Sequence, residues 1–212
     1  MTRAPAPVDE AVDAVRAGRL IVIPTDTVYG VAARPDVPAA TRALFAAKGR
    51  PPGLTLPVLV DGEGSARRLG AFDERADRLA AAFWPGALTL VLPRTDEIRG
   101  WDLGGDPDTI GVRVPRHPLA LAVLASSGPL AVTSANRSGE PEATTCDELT
   151  EVFGDRVAVY LCEDEPLVGT ASTVVDLAHG APRILRAGGN AADVRAHLGG
   201  AGGPLVDSPP SA

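Results

Sequence analysis

The chain has 212 residues, 45% of them hydrophobic and 4% aromatic, with a formal charge of -7, so it is long enough for one aliphatic core and acidic enough to argue against broad attraction to nucleic acid. Apolar runs such as LPVLV and ALTLVL are strand-sized, far below the roughly 18 residues of a membrane-spanning helix. The opening MTRAPAPVDE carries acids and prolines where a signal peptide would be apolar, so a cytoplasmic protein with no membrane attachment is expected.

In chain order, VDEAVDAVRAG fits a first helix ending at Gly18, and the short β-branched RLIVIP that follows reads as a buried strand. The strand runs into TDTVYG. Asp36 is placed to cap a second helix through VPAATRALFAAK, which Gly49 ends. LPVLV at 56–60 reads as another buried strand, and DERADRLAAAFW from Asp73 as an amphipathic helix stopped by Pro85 and Gly86. ALTLVLP and TIGVRVP are strands flanking a Gly-rich excursion around GGDPD, HPLALAVLASSG is a helix, and PLAVTSAN is a strand ending in a polar turn. Thr145 and Glu148 have capping-box spacing ahead of LTEVFG. VAVYLCED, ASTVVDL and RILRAGG complete the strands, and Asn190 is placed to cap a last helix through AADVRAHL.

Helices and strands alternate, but some strands follow one another directly, which predicts a single-domain α/β fold with a twisted mixed sheet and flanking helices. The domain is expected over 1–198. The Gly-, Pro- and Ser-rich stretch 199–212 is expected to be a disordered tail. Cys146 and Cys162 lack metal-ligand spacing and are expected to remain thiols without a role.

Polar groups gather where strands end, the usual place for ligands in open α/β sheets. TDTVYG offers Thr25, Asp26, Thr27 and Tyr29 around a bend, either for a ligand or to satisfy the local backbone. Lys48, the one lysine among 20 basic residues, lies two positions from Arg50. Together they suit phosphate oxygens, or simply the negative end of the helix dipole. Arg113 sits between Val112 and Val114, so strand alternation turns it to the opposite face, where it can hold a carboxylate bidentately or meet solvent. TSANRSG adds Thr133, Ser134, Asn136 and Ser138. The three histidines lack ligand spacing, so neither a protein-built metal site nor a histidine-based nucleophile is expected, and neither common phosphate-loop signature occurs.

Taken in order from about residue 8 to 190, PTDTVYG, KGR, GVRVP, SANRSG, STVVDL and ILRAGG resemble the YrdC-like threonylcarbamoyl-AMP synthase family. The resemblance implies a twisted sheet with a concave ligand cavity. It also implies an enzyme joining L-threonine, bicarbonate and ATP into threonylcarbamoyl-AMP and pyrophosphate for the N6-threonylcarbamoyladenosine of tRNA. Thr27, Arg113, Ser134 and Ser172 resemble the threonine-binding residues. Lys48, Arg50, Thr109, Asn136, Thr144 and Arg186 resemble the ATP contacts, with Lys48 and Arg50 serving catalysis. The implied cofactor is Mg2+ bound through the ATP phosphates, and the implied partners are a tRNA threonylcarbamoyl transferase complex and a tRNA or double-stranded RNA contact.

One departure stands out. After KGRPPG this chain has Leu54 and Thr55 where relatives carry a polar residue followed by proline, which bears on how the loop closes over ATP. The extra C-terminal domain of longer relatives, and with it their lid, is expected to be missing. Two other readings stay open: a paralogue handling another carbamoyl-adenylate, and a double-stranded RNA or ribosome-binding module.

Overall fold

The computed structural model describes residues 8–49 and 53–199, with the backbone of Val206–Asp207. Its elements in chain order are α1 (Val8–Arg16), β1 (Leu20–Ile23), β2 (Gly30–Ala33), α2 (Pro38–Lys48), β3 (Val58–Leu59), α3 (Glu63–Leu69), α4 (Glu74–Phe83), β4 (Leu88–Pro93), β5 (Thr109–Arg113), α5 (Pro118–Ser127), β6 (Leu130–Ser134), α6 (Cys146–Phe153), β7 (Val157–Tyr160), β8 (Thr173–Asp176), β9 (Arg183–Arg186), α7 (Ala191–Gly199) and β10 (Val206–Asp207).

Among the described residues the strands form one mixed sheet in the order β10-β9-β8-β4-β5-β3-β6-β2-β1-β7. β1 pairs parallel with β7, and β4 with β8. β4 and β5 pair antiparallel, as β8 and β9 do. The α/β class expected from the element pattern is therefore the class observed.

Strand alternation decides where the site can lie. On β4, Leu88, Leu90 and Leu92 pack with Leu79 of α4 and Val194 and Leu198 of α7. The intervening Thr89 and Val91 project to the other face and line cavities instead. β5 repeats the pattern: Ile110 and Val112 join the core, while Thr109, Gly111 and Arg113 face cavities. On β1, Ile21 and Ile23 pack with Val12 and Val15 of α1 and Val123 and Leu124 of α5. Leu20 and Val22 join the larger cluster with Leu44 of α2 and Phe153 of α6.

Several local expectations hold. The Asp73 carboxylate caps α4 through the backbone N–H groups of Arg75 and Ala76, and Thr145 and Glu148 form a full capping box on α6. Others need correction. Asp36 caps nothing: it is tied up in an ion pair with Arg34, and Val37 stands at the start of α2 without a side-chain bond. Asn190 Oδ1 accepts from Thr173 Oγ1 at 2.6 Å, fastening β8 to the approach of α7. β2 was not foreseen, because GVAA is poor in strand-forming residues; pairing with β1 on one side and β6 on the other makes it a strand. α3 was also missed, since EGSARRL has no capping side chain before it.

Cys146 and Cys162 are not thiols. They form a disulfide with Cα atoms 5.7 Å apart, joining the start of α6 to the residue two past the end of β7. Their 16-residue separation said nothing of this; the pairing arises because α6 folds back along β7 and returns the chain to its starting point. Of the tail expected at 199–212, the described part is the end of α7 and β10, whose backbone pairs parallel with β9. No helix among the described residues is long and apolar enough to cross a membrane.

Candidate active site

Two cavities open on the sheet face that α4 and α7 leave uncovered. The smaller, about 110 Å³, is lined by Thr25, Thr27, Thr89, Arg113, Ser134, Ser172 and Arg186 with apolar neighbours that include Leu59 and Val132. The larger, about 420 Å³, is lined by Leu54, Thr55, Asp106, Thr109, Asp176, His179 and Arg186 among others. Pro57, Thr89 and Arg186 belong to both walls.

Arg113 is the central side chain of the smaller cavity. It is 5% exposed, and its Nε donates to Gly86 O at 2.9 Å, Nη1 to Thr27 Oγ1 at 3.0 Å and Nη2 to Asp26 Oδ1 at 2.6 Å. Burial pulls this guanidinium below the ordinary arginine value; the Asp26 carboxylate works against that, and the like charge of Arg186 adds to it. The Thr25 hydroxyl donates to Val28 O at 2.6 Å, so in its 2.9 Å contact with Thr27 it must accept. Protons therefore run one way, from Arg113 to Thr27 to Thr25 to Val28 O.

On the far wall Arg186 Nε donates to Ser172 O and its Nη2 to Ser172 Oγ, both at 3.0 Å, and Ser172 Oγ meets Thr89 Oγ1 at 2.9 Å. Two glycines let backbones close in around these groups. A Cβ on Gly169 would fall 1.7 Å from Thr27 O, and one on Gly188 would fall 2.2 Å from Ala171 O.

Lys48, buried at the end of α2, donates through Nζ to Ser134 O and to Asn136 Oδ1, each at 2.7 Å. Ser134 Oγ also donates to Asn136 Oδ1 at 2.7 Å, and Asn136 Nδ2 to Glu140 O at 2.5 Å. The lysine thus grips the turn that carries Ser134 into the smaller cavity.

All four residues picked out for an amino acid, Thr27, Arg113, Ser134 and Ser172, line the smaller cavity. The residues picked out for a nucleotide are more dispersed. Arg186 borders both cavities and Thr109 the larger, while Lys48 and Asn136 sit at the Ser134 end. Thr144 lines neither cavity; its backbone N–H and hydroxyl both donate to Glu148 Oε2. Arg50 lies outside the described residues. Thr89 and Gly86 were missed. Thr89 could have been found as the one hydroxyl inside the apolar run LTLVL, whereas Gly86 contributes only a carbonyl, which no side-chain pattern reveals.

Fold and site together define an α/β protein with a small polar cavity built around a buried guanidinium, beside a roomier cavity sharing a second arginine. The chain belongs to the Sua5/YciO/YrdC family, whose model, described as "Telomere recombination", matches residues 13–188. A protein of Mycobacterium tuberculosis (strain ATCC 25618 / H37Rv), provisionally named threonylcarbamoyl-AMP synthase, is 42% identical over 179 residues, 84% of this chain and 82% of that one. The crystal structure of Pyrococcus abyssi Sua5 complexed with L-threonine superimposes with a TM-score of 0.80 at 37% identity, covering 86% of this chain and 54% of that one. Escherichia coli YciO follows with a TM-score of 0.79 at 26% identity, covering 87% and 93%. The chain thus spans about half the length of the Pyrococcus protein and most of the other two.

Proposed function

We propose that this chain is an L-threonylcarbamoyladenylate synthase, using L-threonine, bicarbonate and ATP. The observation that carries the reading is the meeting of Thr27, Arg113, Ser134 and Ser172 around one small cavity. At about 110 Å³ the cavity is far below the roughly 300–1,000 Å³ of pockets for drug-sized ligands, so it suits an amino acid and not a nucleotide. The relative solved with L-threonine lends its ligand to the proposal.

The chemistry asks for positioning more than for a nucleophile. The carboxylate of threonine docks on Arg113, and its α-amine bonds to the carbon of bicarbonate, which gives up a C–O bond and leaves water, to form a carbamate. A carbamate oxygen then attacks the α-phosphorus of ATP in line as the bond to pyrophosphate breaks. Lys48, Asn136 and Arg186 supply fixed donors and positive charge to the phosphates, which is where electrostatic preorganisation acts. The donors near the proposed phosphate side are an ammonium, a guanidinium, hydroxyls and an amide. This set fits Mg2+ carried by the triphosphate, since that ion keeps most of its waters and needs no protein cage; when bound it offsets phosphate charge.

We place the protein in the cytoplasm, and place downstream of it a transferase complex that moves the threonylcarbamoyl group to tRNA. For an RNA-binding module, free basic side chains would be needed, yet on α3, α4 and the turn after β4, Arg67, Arg68, Arg75, Arg78 and Arg99 are all ion-paired with acids. The paralogue reading has one observation in its favour: Leu54 lines the larger cavity and is 51% exposed. Incubation with ATP, bicarbonate and a panel of amino acids, with pyrophosphate as readout, separates the two. Pyrophosphate release that requires threonine supports the synthase; equal release with every amino acid, or with none, would overturn it.

A further inference from the structure

The geometry points to Asp26 as a positioning residue that aims the Arg113 guanidinium at the substrate carboxylate. The inference rests on the synthase reading and extends it to a residue that does not itself line the cavity, although its neighbours Thr25 and Thr27 do.

Arginine carries five N–H groups in a rigid planar fork. In Arg113 three are committed: Nε to Gly86 O, one on Nη1 to Thr27 Oγ1 and one on Nη2 to Asp26 Oδ1. One N–H on each terminal nitrogen is left for the cavity, the number a bidentate carboxylate takes. Which way those two point depends on the plane of the guanidinium, and the plane is set by the three bonds already made. Of these, the bond to Asp26 is the shortest and the only one to a charged partner.

Asp26 is itself held. Its Oδ1 also accepts the backbone N–H of Arg116 at 2.8 Å, while Arg116 Nε donates to Pro85 O at 2.9 Å. Gly86, which receives Nε of Arg113, donates its own N–H to Val114 O at 2.9 Å. The turn after β1, the turn before β4 and the exit of β5 are thus tied together on the side of Arg113 away from the ligand. The carboxylate has a second effect: it neutralises a cation that is 5% exposed and lies near Arg186. An incoming carboxylate therefore meets a net charge of one cation from these three groups, not two.

The test is steady-state kinetics of threonine-dependent pyrophosphate release for the wild type, Asp26→Ala and Asp26→Asn. For Asp26→Ala the threonine KM should rise about tenfold or more, the scale of losing a charge-assisted hydrogen bond, while the ATP KM stays within about twofold. Asp26→Asn keeps an oxygen in place but weakens it as an acceptor, so its threonine KM should rise about threefold and stay below that of the alanine variant. A merely structural role would lower kcat through the active fraction and leave KM alone, so an unchanged threonine KM in both variants overturns the inference, as does an equal rise in both KM values. If the alanine variant does not fold, Asp26→Asn decides: a threonine KM equal to wild type sinks the inference. A wild type without threonine-dependent release defeats the synthase reading and this inference with it, whereas an active wild type with indifferent variants defeats this inference alone.

Discussion

Lys48 Nζ lies 2.7 Å from Asn136 Oδ1 although 88 positions separate the two residues. The contact joins the end of α2 to the turn after β6, and the 2.7 Å bond to Ser134 O fixes the same turn from a second point. Lys48→Ala would leave a buried carbonyl and amide oxygen without their charged donor and withdraw positive charge from the proposed phosphate side. Pyrophosphate release should fall by on the order of 10²-fold or more. Lys48→Arg should not restore it, because a planar fork cannot reproduce the compact ammonium between two oxygens. A coupled pyrophosphate assay with circular dichroism as a folding control checks both; near-wild-type turnover in the arginine variant would refute the argument.

Gly169 presses its backbone on the turn that carries Thr27. Because a Cβ would sit 1.7 Å from Thr27 O, Gly169→Ala must push the 161–172 connection away from the cavity. A destabilisation of roughly 1–3 kcal/mol is expected from such overpacking, together with a weaker threonine KM. Thermal melts and kinetics measure the two effects, and an alanine variant matching wild type in both would show that the connection is not in contact.

The Cys146–Cys162 disulfide closes a loop of 16 residues in sequence separation. Chain-entropy arguments put a loop of that size at about 3 kcal/mol. Protein purified without reductant should resist thiol alkylation until reduced. Reduction, or Cys146→Ser with Cys162→Ser, should lower the melting temperature by roughly 10 °C for a chain of this length. Rapid alkylation of both cysteines in unreduced native protein would show that the bond does not form.

How far the chain could be read from its letters depended on whether the deciding interaction was local. β1, α4 and the capping box of α6 were legible because each is set by residues within a few positions. Arg113 was legible for the same reason: Val112 and Val114 beside it fix the face it takes. What escaped was non-local. β2 exists only between two partners, Asp36 turned to Arg34 when capping α2 was equally open to it, and the cysteines meet only after α6 folds back. Thr89 is a case between: its place in β4 was readable, but its bond to Ser172 spans 83 positions.

His179 links two segments at the wall of the larger cavity. Its Nδ1 meets Asp176 Oδ2 at 3.0 Å and Oδ1 at 3.2 Å, and its Nε2 meets Asp106 Oδ2 at 3.2 Å, so the imidazole ties the β8–β9 connection to the one between β4 and β5. The hydrogen bond and charge of Asp176, with a smaller share from Asp106, raise the pKa of His179 above the ordinary histidine value of 6.5. A folded-state pKa above the unfolded one means that the tie contributes fully below pH 6.5 and is lost as pH rises through the raised value. Asp106 is held below its ordinary value, chiefly by the backbone N–H of Asp108 and then by His179, so its own linkage falls in acid and leaves the neutral window to the histidine. His179→Ala should therefore cost more stability at pH 6 than at pH 9, and the difference should shrink in Asp176→Asn. NMR titration of the imidazole gives the direct reading: a midpoint at or below that of an unstructured histidine would mean that the two carboxylates do not hold its proton.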